Sequence, residues 1–218
     1  MGEHPGAVDL AVLGEAGERS VDGDLIAGAG GNVGDVCGHD GATYRQDGGI
    51  DATTHPLRLL VLADTHLRAD LAALPHEVWD QLETCDAVLH AGDVVTDDLL
   101  AALRARRPVH AVLGNNDRDL VGALPDRLEV ELAGVRVAMV HDSGARAGRA
   151  RRMRRWFPTA DVVVFGHSHD PVDELGEDGQ RLFNPGSAVQ RRRQPRRTLG
   201  VLELAAGAVV GHHIVPLS

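Results

Sequence analysis

Lysine is absent from this 218-residue chain, and aromatic residues make up only 3% of it. Every basic side chain is therefore an arginine, a pattern that reads as genome base composition rather than function. With few aromatics, Val, Leu and Ala must fill the core. A hydrophobic content of 43% supplies apolar surface enough for one domain of ordinary size, with or without a tail. Cysteine is nearly missing too: Cys37 and Cys85 are the only two. That excludes a disulfide framework and points to a reduced, cytoplasmic setting. No apolar run approaches the length of a membrane span. The N-terminus has no basic start followed by an apolar stretch, so no secretory signal is expected.

The net charge of −10 is unevenly spread. Residues 1–55 carry ten acids against two arginines, Arg19 and Arg45, and 13 of the 26 glycines. Such a stretch buries too little apolar surface to offset its ordering entropy. Residues 1–55 are therefore expected to be a disordered Gly/Asp-rich extension, in which His4, His39 and His55 are isolated and solvated. Residues 56–218 are nearly neutral and form the expected folded domain, with no charge signature of nucleic-acid binding.

From Leu57 the texture changes. Leu57–Ala63 reads as a buried strand. His76–Cys85 reads as a helix, with Pro75 at its tolerated start. Ala87–Ala91 is a second strand. Thr96–Arg106 is a second helix, capped by Thr96 with Asp97 and Asp98 in the first turn. Pro108–Leu113 is a third strand. This alternation indicates βαβ units and a parallel core. Arg127–Leu132 and Val135–Val140 flank Ala133-Gly134 as a hairpin. Ala145–Phe157 reads as an arginine-studded helix and Asp161–Phe165 as another buried strand. Short strands follow at 182–183, 188–190, 199–204 and 208–215. The expected architecture is an α/β fold, a four-layer αββα sandwich of two mixed sheets.

Five motifs appear in order within this half: Asp64-Thr65-His66, Gly92-Asp93, Gly114-Asn115-Asn116-Asp117, His141 and Gly166-His167-Ser168-His169. Each follows an apolar run ending in a turn, which is how side chains gather at one edge of a parallel sheet. Asp64 and His66 alternate in an extended loop and can chelate one ion together. Asp93 has two carboxylate oxygens and suits a bridge between two ions. Asn115 offers a carbonyl oxygen, and His141, His167 and His169 offer imidazole nitrogens. A mixed N/O set without thiolate suits borderline divalent ions. Manganese, iron, cobalt, nickel and zinc all fit such a set, which does not by itself choose among them. Two metals about 3.5–4 Å apart suit in-line attack at phosphorus by a bridging hydroxide. His90, within a strand, reads as a hydrogen-bonded core residue. The arginines of 149–155 and 191–197 read first as a solvated face.

The ordered set resembles the calcineurin-like metallophosphoesterase superfamily. The chain's size and Asn184-Pro185-Gly186-Ser187 are similar to its small bacterial and archaeal phosphodiesterase branch. The resemblance covers about residues 57–204. It implies one metal held by Asp64, His66, Asp93 and His169, and a second by Asp93, Asn115, His141 and His167. Asn116 and Asp117 occupy its catalytic block, with Asn116 at the substrate. Two departures stand out. The family's common Gly-Asn-His-Asp has Asn116 for the histidine, and an amide cannot serve as a general acid near neutral pH. Asp142 replaces the usual glycine after His141, either as an acceptor orienting an imidazole or as a surface residue. The expected function is a dinuclear-metal phosphodiesterase acting on a small phosphoester, with neither nucleic acid nor membrane as partner. The alternative is a non-catalytic metal-binding interaction protein on the same fold.

Overall fold

Strand β1 (Leu57–Leu62) shows how the layers form. Leu59, Val61 and, just beyond it, Ala63 face one apolar cluster, while Leu60 and Leu62 face another. A strand buried on both faces must lie between two layers. The computed structural model describes residues 55–68 and 70–218, so the expectation of disorder over 1–55 falls outside the described residues apart from His55.

The elements after β1 are α1 (His76–Thr84), β2 (Ala87–His90), α2 (Asp97–Arg104), β3 (Val109–Ala111), β4 (Arg127–Leu132), β5 (Val135–Val140), α3 (Arg149–Trp156), β6 (Val162–Val164), β7 (Val172–Leu175), β8 (Arg181–Asn184), β9 (Thr198–Ala205) and β10 (Ala208–Pro216). They build two five-stranded mixed sheets, ordered β10-β9-β1-β2-β3 and β4-β5-β6-β8-β7. The β1–β2–β3 and β5–β6–β8 pairings are parallel, and the outer pairings are antiparallel.

Between the sheets, Leu59, Val61 and Leu89 meet Val137, Met139, Val164 and Phe183. On the outer face of the first sheet, Leu60, Leu62 and Val88 pack on Val78 and Leu82 of α1 and Leu99, Leu100 and Leu103 of α2. On the outer face of the second, Ala138, Val163 and Phe165 pack on Met153 of α3 and Phe157. These three apolar layers are the expected αββα sandwich. Each fully buried Leu, Val or Phe contributes about 1.5–3 kcal/mol.

Four local expectations are corrected. Helix α3 starts at Arg149 rather than Ala145, because Gly148 adopts a left-handed φ of +70° that a helix cannot continue. Residues 188–190 are not a strand: the Ser187 hydroxyl accepts the amides of Val189 and Gln190 that a ladder would need. Thr96 occupies the position before α2, but its hydroxyl donates to the Leu67 carbonyl at 3.3 Å instead of capping the helix. Strand β7 was not expected; its Val-Asp-Glu-Leu sequence lies at a sheet edge and is mostly exposed.

Candidate metal centre

Every expected ligand follows the C-terminal end of a parallel-paired strand: Asp64 and His66 follow β1, Asp93 β2, Asn115 β3, His141 β5, and His167 and His169 β6. The loops are laced together. Asp64 N–H donates to Gly92 O and His66 N–H to Asp93 O, both at 2.9 Å, and Gly166 N–H donates to His141 O at 2.9 Å. Asp64, His66, Asp93, His167 and His169 all have positive φ, between +50° and +68°. Non-glycine residues there cost about 1–3 kcal/mol each and persist where the surroundings enforce them, a concentration typical of functional sites. Glycine is required beside them. A Cβ on Gly92, itself at φ +86°, would lie 2.8 Å from Gly114 N and His141 Nδ1, and one on Gly114 would lie 2.1 Å from Asp93 N.

The side chains converge in two groups. His169 Nε2 is 3.4 Å and His66 Nε2 3.9 Å from Asp64 Oδ1, and the two imidazoles stack with their Nε2 atoms 3.3 Å apart. Asn115 Oδ1 lies 3.1 Å from His141 Nε2 and 2.9 Å from His167 Nδ1. Asp93 stands between them, with Oδ2 3.5 Å from both His66 Nε2 and His141 Nε2. The first group is deeply set: Asp64 and His169 are buried and His66 is half-buried. Asn115 and His167 are exposed.

Electrostatics separates the two carboxylates. Burial pushes Asp64 up to about 7, against the pull of His141 and with the push of Asp93. Burial also raises Asp93, but His141 and the two hydrogen bonds from Asn116 outweigh it and hold Asp93 well below the usual carboxylate range. Burial lowers His66 and His169, and the positive charge of Arg192 lowers both further. Two ring orientations are set from behind. His141 Nδ1–H donates to Ala91 O and His169 Nδ1–H to Gln190 O, each at 2.7 Å, leaving Nε2 free to face the cluster. Such backing bonds fix the tautomer of a metal-ligating imidazole.

The remaining expected residues have definite places. Asn116 donates its backbone N–H to Asp93 Oδ1 (2.8 Å) and its side-chain amide to Asp93 Oδ2 (2.7 Å). Asp117 is buried, and its carboxylate accepts the backbone N–H groups of Asp93, Gly114 and Val95 at 2.6–2.9 Å. It clamps the two ligand loops rather than facing the cluster. Asp142 accepts from Gly144 N–H at 2.6 Å and is exposed; it closes a turn and orients no imidazole. His90 is fully buried, with Nε2 3.1 Å from the Thr65 hydroxyl and Nδ1 buried without a hydrogen-bond partner. Several arginines of α3 are engaged within the chain, Arg152 with Ser143 O and Arg154 with Pro158 O and Glu177 O.

Sequence reasoning missed the supports. Asn184 donates to Gly166 O, Ser187 donates to Asp64 O at 2.8 Å, and Gln190 supplies the carbonyl behind His169. The Asn-Pro-Gly-Ser turn was the one visible signal; a carbonyl partner leaves none.

The donors fit divalent ions on one direct observation. Both oxygens of Asp64 are buried and have no hydrogen-bond partner, although a buried carboxylate without compensation is costly. Oδ1 faces the imidazole nitrogens of His66 and His169, and Asp64 joins His66 and His169 in one potential ligand group and Asp93 and His141 in another, the ligand atoms of each lying within 4.8 Å of one another.

Residues 57–207 match the family model of the calcineurin-like phosphoesterase superfamily domain. A probable metallophosphoesterase of Methanothermobacter thermautotrophicus is 33% identical over 134 residues, which cover 61% of this chain and 77% of that protein. Among solved structures, wild-type Vps29 of Entamoeba histolytica complexed with zinc superposes with a TM-score of 0.57 at 23% identity, over 73% of this chain and 98% of its own. A structure described as a novel archaeal phosphodiesterase gives a TM-score of 0.57 at 21% identity, over 73% and 99% of the two chains. These two structural likenesses establish the shared fold.

Proposed function

The chain belongs to the calcineurin-like phosphoesterase superfamily, and we propose that it is a phosphodiesterase working with two divalent ions. Asp64, His66, Asp93 and His169 would hold one ion, and Asp93, Asn115, His141 and His167 the other. The observation that carries the reading is the buried, unpartnered Asp64 carboxylate facing imidazole nitrogens at the meeting point of the ligand loops. When bound, such ions acidify water and neutralise charge developing on phosphoryl oxygens in an in-line displacement.

The chain's own residues arrange the rest. Asp117 holds the Asp93 and Asn115 loops in register through three backbone amides. Ala91 O and Gln190 O keep His141 and His169 turned to the cluster. Asn116 orients Asp93 through both carboxylate oxygens and has no proton to give a leaving oxygen near neutral pH. Diesters with stable leaving groups are therefore the favoured substrates. The likeness of fold to an archaeal phosphodiesterase supports the same choice. Manganese is the proposed native ion, and the substrate a small phosphoester. No described helix is long and apolar enough to cross a membrane. A cytoplasmic setting suits Cys85, which is free and buried.

The test is a panel of aryl and alkyl diesters and monoesters, assayed on chelator-stripped protein re-supplied with single ions. Ion-dependent turnover led by aryl diesters is expected. Asn116→His should accelerate alkyl diesters by more than it accelerates aryl ones, because a general acid matters most when the leaving oxygen is basic. Stoichiometric ion binding without hydrolysis of any ester would instead favour the non-catalytic interaction protein.

A further inference from the structure

The segment after Ser187 is tied to the metal centre along its length. The Ser187 hydroxyl donates to Asp64 O and accepts Gln190 N–H. Gln190 O takes the Nδ1–H of His169 at 2.7 Å. The Gln194 side chain then donates to Asp170, the residue after His169. Arg192 lies between these anchors. It is exposed and, like Arg193 and Arg196, has no hydrogen-bond or ion-pair partner among the described residues, whereas Arg191 donates to Gln194 O and Arg197 to Ser218 O. Its φ of +49° is left-handed, a conformation in which glycine or asparagine is cheaper than an arginine. Its charge acts on Asp64, His66 and His169.

An unpaired cation, fixed in a strained turn beside a candidate centre for phosphoester chemistry, has an evident use. We propose that Arg192 is a substrate-binding residue whose guanidinium takes the non-bridging oxygens of the phosphoryl group on the Asp64–His66–His169 side of the cluster. The planar fork of arginine matches two phosphate oxygens at once. Arg192 thus supplies the cationic contact that Asn116 cannot. The inference rests on the phosphoesterase reading for the identity of the anion.

The experiment is calorimetric titration of inorganic phosphate into the manganese-loaded full chain, as wild type, Arg192→Ala, Arg192→Gly and Arg192→Lys. Removing a charge-assisted hydrogen bond should weaken phosphate binding about 10- to 100-fold in the Ala and Gly variants. Manganese stoichiometry should be unchanged, and Lys should recover part of the loss. Glycine suits the left-handed φ, so Arg192→Gly should melt no lower than wild type. Phosphate affinity within about threefold of wild type in the Ala and Gly variants would overturn the inference; so would a loss in Ala that Gly does not share, or loss of manganese together with phosphate. Hydrolysis of the diester panel with a phosphate affinity independent of residue 192 would sink this inference alone. Arg192-dependent phosphate binding without any hydrolysis would sink the phosphodiesterase reading and leave the inference standing.

Discussion

The two halves of the candidate metal centre are built differently. Around Asp64, His66 and His169 the donors are buried or half-buried, and the loops carrying them are tied by Ser187, Gln190 and Asn184. Around Asn115, His141 and His167 only His141 is buried, and Asn115 and His167 reach into solvent. With neither Asp64 oxygen holding a hydrogen-bond partner, the first half is where a cation would compensate burial most. Exposure makes the second half the open side, where an ion can exchange more readily. Asp93 belongs to both.

The largest effect should come from removing what the halves share. Asp93→Ala should cut diester hydrolysis by roughly 10³-fold or more, the scale of losing several kcal/mol of charge stabilisation, and should lower bound metal as measured by atomic emission. Two ions retained with near-wild-type turnover would exclude Asp93 as the bridge. Asp117→Ala acts on the frame of the open half. Three buried amides lose their acceptor, so urea unfolding of the chelator-stripped protein should show a loss of about 2–5 kcal/mol. An unchanged midpoint would mean that the clamp carries no weight.

The contrast itself is tested by paired variants. Asn115→Ala should weaken one of two metal-binding steps by about 10- to 100-fold and leave the other alone. His169→Ala should weaken the remaining step. Equal weakening of both steps by either variant would show one shared site instead of two.

The effect that is smallest at neutral pH concerns His90, under the buried half against Thr65. Burial lowers its pKa to about 3, whereas an unfolded histidine titrates near 6.5. The unfolded chain then binds the extra proton between these values. The stabilising contribution is full above about pH 6.5 and is lost as pH falls toward 3, at up to about 1.4 kcal/mol per pH unit. His90→Gln should flatten this part of the acid-unfolding curve; an unaltered slope would place the titration elsewhere.

The same contrast decides what was legible in the sequence. The convergence of the candidate ligands is readable because each carries its own chemical type and follows an apolar run: β1 before Asp64, β2 before Asp93, β6 before His167 and His169. Layering was readable from strands such as Leu59–Leu62, apolar on both faces. The supports were not. Ala91 and Gln190 act through carbonyls, which every residue possesses, and Asp117 looked like a site acid because only the fold shows its oxygens turned to backbone amides. β7 leaves no signal because an exposed edge strand needs no apolar alternation, and α3 begins later than its arginine-rich texture because the left-handed turn at Gly148 overrides it.

One chain should hold two divalent ions in unequal halves around Asp93, and hydrolysis should need both. Calorimetric titration of manganese into chelator-stripped protein, with aryl diester turnover followed at each point, tests it most directly. Two equivalents should bind in distinguishable steps, with turnover appearing as the second fills. Full turnover at one equivalent, or no stoichiometric binding, would contradict it.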